Sequence, residues 1–126
     1  MKRILIVDDM GAIRSVIRTV LKSIGDFQID EAVNGEDGLS KIRMLRPDVV
    51  ISDWNMPKMS GLEMLTAIRG DQTIKTIPVI MLTAEGTKSN VQEAASAGVN
   101  GYILKPFTPD KLETALTTIL KKLATI

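Results

Sequence analysis

The segment Ile4-Leu5-Ile6-Val7-Asp8-Asp9 passes directly from four apolar residues to two carboxylates, and this change decides the fold class. A short, continuous apolar run bounded by charge is typical of a strand that other elements cover on both faces. The run is too short for the apolar part of a signal peptide. No stretch approaches the roughly 18 apolar residues that span a bilayer. We therefore expect a cytoplasmic protein without membrane insertion.

Three further apolar runs repeat this pattern, and segments of helical period separate them. The runs occupy 49–51, 79–82 and 101–104, and a weaker candidate at 28–33 contains Asp30 and Glu31. Continuous apolar strands that alternate with helices predict an α/β fold, with a parallel five-stranded sheet flanked by five helices. The more polar candidate is expected at a sheet edge. Residues 1–126 are expected to form one domain with no output domain attached.

The predicted helices differ in how much apolar surface they carry. The first has an apolar stripe formed by Ile13, Val16, Ile17, Val20, Leu21 and Ile24. The fourth, at about 88–97, has only Val91, Ala94 and Ala95 on its apolar face. A helix that buries so little apolar area is expected to be among the easier elements to shift.

The composition excludes several kinds of function. Sixteen basic and fifteen acidic residues give a net charge of +1, so no overall field draws the protein to nucleic acid. The chain has no Cys and no His, which removes thiolate chemistry, sulfur-ligated metals and the commonest transition-metal ligand. Any bound metal is therefore expected to be a hard cation on oxygen ligands.

Five polar side chains follow the predicted strands. Asp8 and Asp9 follow the first strand, Asp53 the third, Thr83 the fourth and Lys105 the fifth. Each alone has a structural explanation, as a helix cap, a turn residue or a solvated lysine. Ligands of open parallel sheets, however, bind at the carboxyl ends of the strands, where these residues converge. Three converging carboxylates repel one another, and a fold tolerates this when a cation lies among them.

Mg²⁺ fits this set, because it takes oxygen ligands and is commonly bound by one or two carboxylates with phosphate and water. One carboxylate then remains as a nucleophile. Aspartate, with an unperturbed pKa of about 3.9, is ionised at pH 7, so Asp53 needs no histidine to attack a phosphoryl donor. Lys105 and the Thr83 hydroxyl would balance the charge of the acyl phosphate that forms.

Four motifs, taken in order, resemble those of bacterial response-regulator receiver domains. They are Ile6-Val7-Asp8-Asp9, Ser52-Asp53-Trp54-Asn55-Met56-Pro57, Thr83-Ala84 and Lys105-Pro106-Phe107. The resemblance covers essentially the whole chain and extends to the single-domain members that act in chemotaxis. It implies a flavodoxin-like, doubly wound sheet with the strand order 2-1-3-4-5.

The resemblance also implies a role for each residue of the site. Asp53 would accept a phosphoryl group from a histidine kinase. Asp9, Asp53 and the backbone carbonyl of Asn55 would bind Mg²⁺ directly, while Asp8 would act mainly through bound water. Lys105 would pair with the phosphoryl oxygens, and its bond to the following proline would be cis.

The same resemblance implies a route to a partner. Thr83 and Tyr102 would form a switch pair that alters the surface made by the fourth helix, the last strand and the last helix. The contacts expected there are Lys88, Val91, Ala95, Val99, Tyr102 and Leu104. The partner would be a flagellar motor switch protein or another target, and a phosphatase is a further implied partner. Such a protein is a signalling switch rather than an enzyme, because it catalyses only its own phosphorylation and slow autodephosphorylation.

Three alternatives share parts of this pattern. A flavodoxin-like binder of FMN needs Ser, Thr and Gly after the first strand, where Asp8-Asp9 would repel phosphate. A phosphatase of outside substrates needs a cap domain or long loop to enclose them, and the sequence predicts neither. A stand-alone receiver in another phosphorelay, or one that serves as a phosphate sink, would share every site residue with a chemotaxis regulator.

Overall fold

The computed structural model describes residues 1–124 and contains five strands that alternate with five helices. The strands are β1 (Lys2–Val7), β2 (Phe27–Ala32), β3 (Val49–Ser52), β4 (Val79–Thr83) and β5 (Gly101–Leu104). The helices are α1 (Gly11–Ile24), α2 (Gly35–Leu45), α3 (Gly61–Arg69), α4 (Lys88–Ser96) and α5 (Pro109–Ala124). All strands pair in parallel in the order β2-β1-β3-β4-β5. The predicted fold class and strand order are confirmed, and the polar strand β2 lies at an edge.

Alternate residues of β1 enter opposite layers of the core. Ile4 and Ile6 pack with α1 and α5, whereas Leu5 and Val7 pack with α2 and α3. All four side chains are buried. A strand covered in this way needs apolar residues at successive positions, which explains its unbroken run.

The helix α4 contacts the core through a narrow line of small residues. Ala94 is fully buried, and Ala97, which follows the helix, packs against the same layer as α2 and α3. Of the predicted apolar face only Ala94 is buried: Val91 is 38% exposed and Ala95 is exposed, and both are therefore accessible, as a partner contact must be. The reason is geometric: Ala95 lies one residue, about 100°, around the helix from Ala94, and Val91 lies near the helix start. Among residues 1–124, no helix combines the length and apolar character needed to cross a membrane.

The guanidinium of Arg69, at the end of α3, joins the segments that precede β4 and β5. On one side it donates to the carbonyls of Lys75 and Ile77, at 3.0 and 2.7 Å. On the other it donates to the Gly98 carbonyl at 2.9 and 3.1 Å and to the Asn100 side chain at 2.7 Å. These bonds fix the chain directly after the C-terminal end of α4.

Candidate functional site

The carboxyl ends of β1 and β3 bring three aspartates together. These strands are neighbours, and the Asp53 N–H donates to the carbonyl of Val7, the last residue of β1, at 3.0 Å. Asp53 therefore lies beside the point where the chain leaves β1 at Asp8. One carboxylate oxygen from each of Asp8, Asp9 and Asp53 lies within 4.8 Å of the others. We refer to these three residues as the acidic cluster. The structure thus brings together the carboxylates that the sequence predicted at one sheet edge.

The acidic cluster runs from the protein interior to solvent. Asp8 is 1% exposed, Asp53 is half-buried and Asp9 is exposed. Burial raises the pKa of Asp8 above its usual range, although the Met10 N–H at 2.9 Å and the nearby Lys105 oppose this rise. The negative charge of Asp53 raises the pKa of Asp8 further. Ionising Asp8 at this position therefore costs free energy, which is expected of a site that binds a positive group.

Lys105 supplies one positive group at this site. Its Nζ lies 3.2 Å from Asp8 Oδ2 and 3.5 Å from Asp53 Oδ2. The Lys105 N–H donates to the Thr83 carbonyl at 2.8 Å, which fixes the point where the chain leaves β5. The bond to Pro106 is cis, as the resemblance implies. The ammonium therefore faces two members of the acidic cluster at once.

The donor set of the acidic cluster fits Mg²⁺. Its members are carboxylates, and one oxygen from each can reach a common centre. Mg²⁺ prefers oxygen ligands and retains bound waters, which suits the exposed side of the cluster at Asp9. A divalent cation would also lower the cost of keeping Asp8 ionised among neighbouring carboxylates.

Replacing Asp8 with Asn is expected to stabilise the metal-free fold at pH 7 by roughly 1 kcal/mol, as substitutions at strained functional sites often do. Because the folded-state pKa of Asp8 is raised, its protonated form favours folding, and this stability is lost as pH rises through the folded pKa. The gain of Asp8→Asn should therefore shrink as the pH falls toward about 3.9.

Thermal unfolding without Mg²⁺ at several pH values measures this gain, with Asp26→Asn, an exposed carboxylate before β2, as the matched control. A lower unfolding temperature for Asp8→Asn at pH 7 would show that its ion pair with Lys105 outweighs the cost of burial.

The loop that follows Asp53 is closed against the site by Gly61. The Gly61 N–H donates to the Trp54 carbonyl at 2.8 Å, and a Cβ at this position would lie 2.0 Å from the Asp53 carbonyl oxygen. Only glycine permits this approach. Asn55 lies in this loop, two residues after Asp53, with its side chain exposed. The short path from Gly61 back to Trp54 keeps the loop that carries Asn55 at the end of β3.

Glu85, two residues after β4, joins the site to β5. Its N–H donates to the Thr83 hydroxyl oxygen at 3.2 Å, and the Tyr102 hydroxyl donates to its carbonyl in a short hydrogen bond. Its carboxylate accepts a short hydrogen bond from the Asn55 amide. Thr83 is completely buried and Tyr102 is half-buried. The two residues predicted as a switch pair are therefore connected through one intermediate residue.

Tyr102 also contacts the residue that follows the predicted acceptor. Its ring meets Trp54 edge to face, with ring centroids 6.5 Å apart and an angle of 78° between the planes. Burial raises the pKa of Tyr102, and the charges of Glu85 and Asp53 raise it further. The hydroxyl consequently remains a hydrogen-bond donor at neutral pH. Trp54 is placed to report on changes at both Asp53 and Tyr102.

The predicted partner surface is only partly open to solvent. Lys88, Val91, Ala95 and Leu104 are exposed, whereas Val99 and Tyr102 are half-buried and pack against the layer formed with α2 and α3. Next to this surface lies a groove of about 560 Å³ between β5 and α5, lined by Tyr102, Ile103, Leu104, Asp110, Lys111, Thr114 and Ala115. The groove adds α5 residues that the predicted contact set lacks.

One contact of the acidic cluster was not predicted from the sequence. Arg14, in the first turns of α1, donates to the backbone carbonyl of Asp8 at 2.7 Å. The position of Arg14 in the sequence could have indicated that it has a partner. A cation near the positive N-terminal end of a helix is unfavourable unless an acceptor or an anion lies beside it. The partner is Glu31 of β2, whose Oε1 lies 2.8 Å from Arg14 Nε.

Comparison with known proteins agrees with this geometry. The family described as "Response regulator receiver domain" matches residues 4–117. Chemotaxis protein CheY-3 of Vibrio cholerae is 44% identical over 124 residues, which cover 96% of this chain and 93% of the relative. Chemotaxis protein CheY of Pseudomonas aeruginosa is 40% identical over 120 residues, covering 95% and 97%. The crystal structure of Vibrio cholerae CheY4 aligns with a TM-score of 0.86 at 36% identity, covering 94% of this chain and 98% of that one.

Proposed function

This chain belongs to the response regulator receiver domain family, and we propose that it is a phosphorylation-activated switch of a two-component system, with Asp53 as acceptor and a histidine kinase as donor. The observation that carries the proposal is the convergence of the acidic cluster and Lys105 at one sheet edge. This arrangement offers a carboxylate nucleophile beside groups that balance the charge of an incoming phosphoryl group.

In the proposed reaction, an Asp53 carboxylate oxygen attacks the phosphorus of a phosphohistidine. An O–P bond forms to Asp53 while the P–N bond breaks, and its electron pair returns to the imidazole nitrogen, which takes up a proton. Asp53 is half-buried and open to the donor on one side. Lys105 is within 3.5 Å of an Asp53 carboxylate oxygen, so its ammonium would also lie near the oxygens of the bound phosphoryl group.

The residues that would hold Mg²⁺ are Asp9, Asp53 and the backbone carbonyl of Asn55, with Asp8 acting mainly through water. The metal, when bound, would supply positive charge that stabilises the phosphoryl oxygens during transfer. Asp8 and Asp9 would orient this charge toward Asp53, and Lys105 would keep Asp8 ionised by pairing with it.

We expect a small-molecule phosphodonor or a beryllofluoride mimic to load the protein only when Mg²⁺ is present. The acidic cluster repels an anionic donor until its charge is balanced, so metal removal should reduce loading to background. Trp54 fluorescence follows loading, because the ring contacts Tyr102 and adjoins Asp53. Equal loading in excess chelator would contradict the proposed site, and K⁺ at matched ionic strength controls for salt effects.

The proposed switch passes through Glu85. The Thr83 hydroxyl accepts from the Glu85 N–H, which leaves its own proton available for a phosphoryl oxygen. Movement of Thr83 toward that oxygen would displace the Glu85 backbone. The Glu85 carbonyl is the acceptor for Tyr102, so the displacement would reach β5 and the surface beside α4. Because Ala94 is the one buried residue of α4, a shift of this helix would cost little free energy.

We propose that the target binds the surface formed by α4, β5 and α5, and that it is a flagellar motor switch protein. The named relatives are chemotaxis proteins, which supports this choice. A receiver in another phosphorelay, or a phosphate sink, is the alternative. The test is the affinity of the protein for a flagellar switch peptide, measured with and without phosphoryl loading. A higher affinity of the loaded protein would favour chemotaxis, and equal affinity of the loaded and unloaded protein would favour the alternative.

We further propose that the protein acts on its own Asp53 and does not turn over outside substrates. The acidic cluster opens to solvent at Asp9, and no described element encloses a substrate above it in residues 1–124. Multiple-turnover hydrolysis of a small phosphate ester that survives replacement of Asp53 would contradict this.

A further inference from the structure

Arg14 makes two contacts that link the acidic cluster to the edge strand β2. One terminal nitrogen of its guanidinium donates to the Asp8 carbonyl at 2.7 Å. Its Nε donates to Glu31 Oε1 at 2.8 Å. The side chain is only 17% exposed. A planar guanidinium can satisfy both acceptors at once, and the two bonds together fix its orientation.

Glu31 is itself held in place from a second direction. Arg18, one turn further along α1, contacts Glu31 Oε2 through Nε at 2.9 Å and through its terminal nitrogen at 2.7 Å. Burial raises the pKa of Glu31, but hydrogen bonds and charge from Arg18 and Arg14 outweigh this and leave the pKa lowered. Glu31 is therefore ionised at neutral pH and balances the charge of the arginine beside the acidic cluster.

The Asp8 carbonyl belongs to the peptide that carries Asp9. The other polar groups of Asp8 are also fixed: its N–H donates to the Ala32 carbonyl at 3.1 Å, and its carboxylate contacts Met10 and Lys105. Within residues 1–124, no hydrogen bond or ion pair restrains the Asp9 carboxylate. The Asp8–Asp9 peptide thus determines where the Asp9 side chain leaves the backbone, and so whether its carboxylate can reach the acidic cluster.

We propose that Arg14 is a positioning residue for the metal site, which orients the Asp8–Asp9 peptide so that the Asp9 carboxylate faces Asp53. Glu31 orients Arg14 and balances its charge. The inference rests on the proposed function, since it concerns the same Mg²⁺ site. It assigns to α1 and β2 a part in metal binding that the residues at the strand ends do not reveal.

The direction in which Mg²⁺ affinity changes when Arg14 is removed separates a positioning role from a purely electrostatic one. Arg14 is a cation near a cation site, so its removal would strengthen Mg²⁺ binding if only charge mattered. If Arg14 positions Asp9, its removal weakens Mg²⁺ binding instead. Loss of an outer-shell partner typically lowers metal affinity by roughly tenfold or more. The two explanations therefore predict opposite directions.

The test is the Mg²⁺ dissociation constant of the full chain, measured by Trp54 fluorescence, for the wild type, Arg14→Met and Arg14→Lys. We expect a dissociation constant roughly tenfold higher for Arg14→Met. Arg14→Lys keeps the charge but lacks the planar fork, so its affinity should also be weakened. The charge-matched control is Arg43→Met. Arg43 lies on α2, and its half-exposed side chain forms a surface ion pair with Asp71. The dissociation constant of Arg43→Met should remain within about twofold of the wild type.

Two further readouts separate positioning from loss of stability. Thermal unfolding reports whether Arg14→Met is folded at the assay temperature. The amide chemical shift of Asp9 in metal-free protein, which depends on the orientation of the Asp8–Asp9 peptide, should change in Arg14→Met and not in Arg43→Met, because only the first variant loses the bond to the Asp8 carbonyl. If folded Arg14→Met has the same or a lower Mg²⁺ dissociation constant than the wild type, the positioning role is wrong and the proposed function is unaffected. A wild type with no response to Mg²⁺ would overturn the proposed function and this inference together.

Discussion

Replacing Asp53 with Asn is expected to abolish phosphoryl incorporation, with a fall in loading rate on the order of a thousandfold or more. The amide keeps the size of the carboxylate but has no negative charge with which to attack phosphorus. The other carboxylates of the acidic cluster are less suited: Asp8 is buried away from a donor, and Asp9, although exposed, has no ion pair with Lys105 among residues 1–124. Intact mass measured after exposure to a small-molecule phosphodonor, with Mg²⁺ present, gives the extent of incorporation.

The matched control for this variant is Asp26→Asn, which removes an exposed carboxylate far from the strand ends that form the site. It should load like the wild type. Incorporation of one phosphoryl group by Asp53→Asn at the wild-type rate would show that another residue is the acceptor. Mapping of the modified peptide would then identify that residue, with Asp9 as the nearest exposed carboxylate.

Replacing Thr83 with Ala is expected to leave phosphoryl loading largely intact but to remove its effect on target affinity. The Thr83 hydroxyl is the one group of β4 that can connect a phosphoryl oxygen to the Glu85 N–H, and alanine has no hydroxyl. Typical coupling between two sites changes affinity by about 5- to 150-fold. For Thr83→Ala we expect the change on loading to fall below about twofold. Titration of a fluorescent target peptide, with and without beryllofluoride, measures both states.

Thr83→Ser is the matched variant, because it keeps the hydroxyl and loses only a methyl group. It should retain most of the affinity change, although the lost methyl leaves a small cavity at a fully buried position. An affinity change in Thr83→Ala equal to that of the wild type would mean that the signal reaches Tyr102 by another route. Failure of Thr83→Ser to respond would point to packing rather than the hydroxyl.

The pattern of apolar residues was sufficient for the architecture, and the reason is burial. In β1, four successive apolar residues face two core layers in turn, so their continuity alone indicates a strand covered on both faces. Asp30 and Glu31 indicated correctly that β2 is an edge. The α4 surface was harder to predict, because a stripe of small residues does not show how far around the helix the contact extends. The sequence therefore did not show that Ala94 alone of the three apolar residues is buried, while Val91 and Ala95 are exposed.

The acidic cluster could be predicted because residues at the carboxyl ends of parallel strands meet whatever the loops between them do. Contacts that depend on how a helix lies over the sheet, or on the conformation of a loop, could not be predicted in this way. The bond from Arg14 to the Asp8 carbonyl requires that α1 lie over β2 with Glu31 beneath it. The role of Glu85 depends on how a short loop turns after β4, and no residue spacing specifies this.

The hydrogen bonds of Arg69 have a consequence for the kind of movement that α4 can make. They hold Gly98 and Asn100, so the chain just beyond the C-terminal end of the helix is fixed. The opposite end begins near Glu85, where the described contacts depend on Thr83 and Tyr102. A nine-residue helix is about 13 Å long, so a tilt of about 10° about the fixed end displaces the other end by roughly 2 Å. We therefore expect α4 to pivot rather than slide, with an amplitude that grows along the helix toward the phosphorylation site.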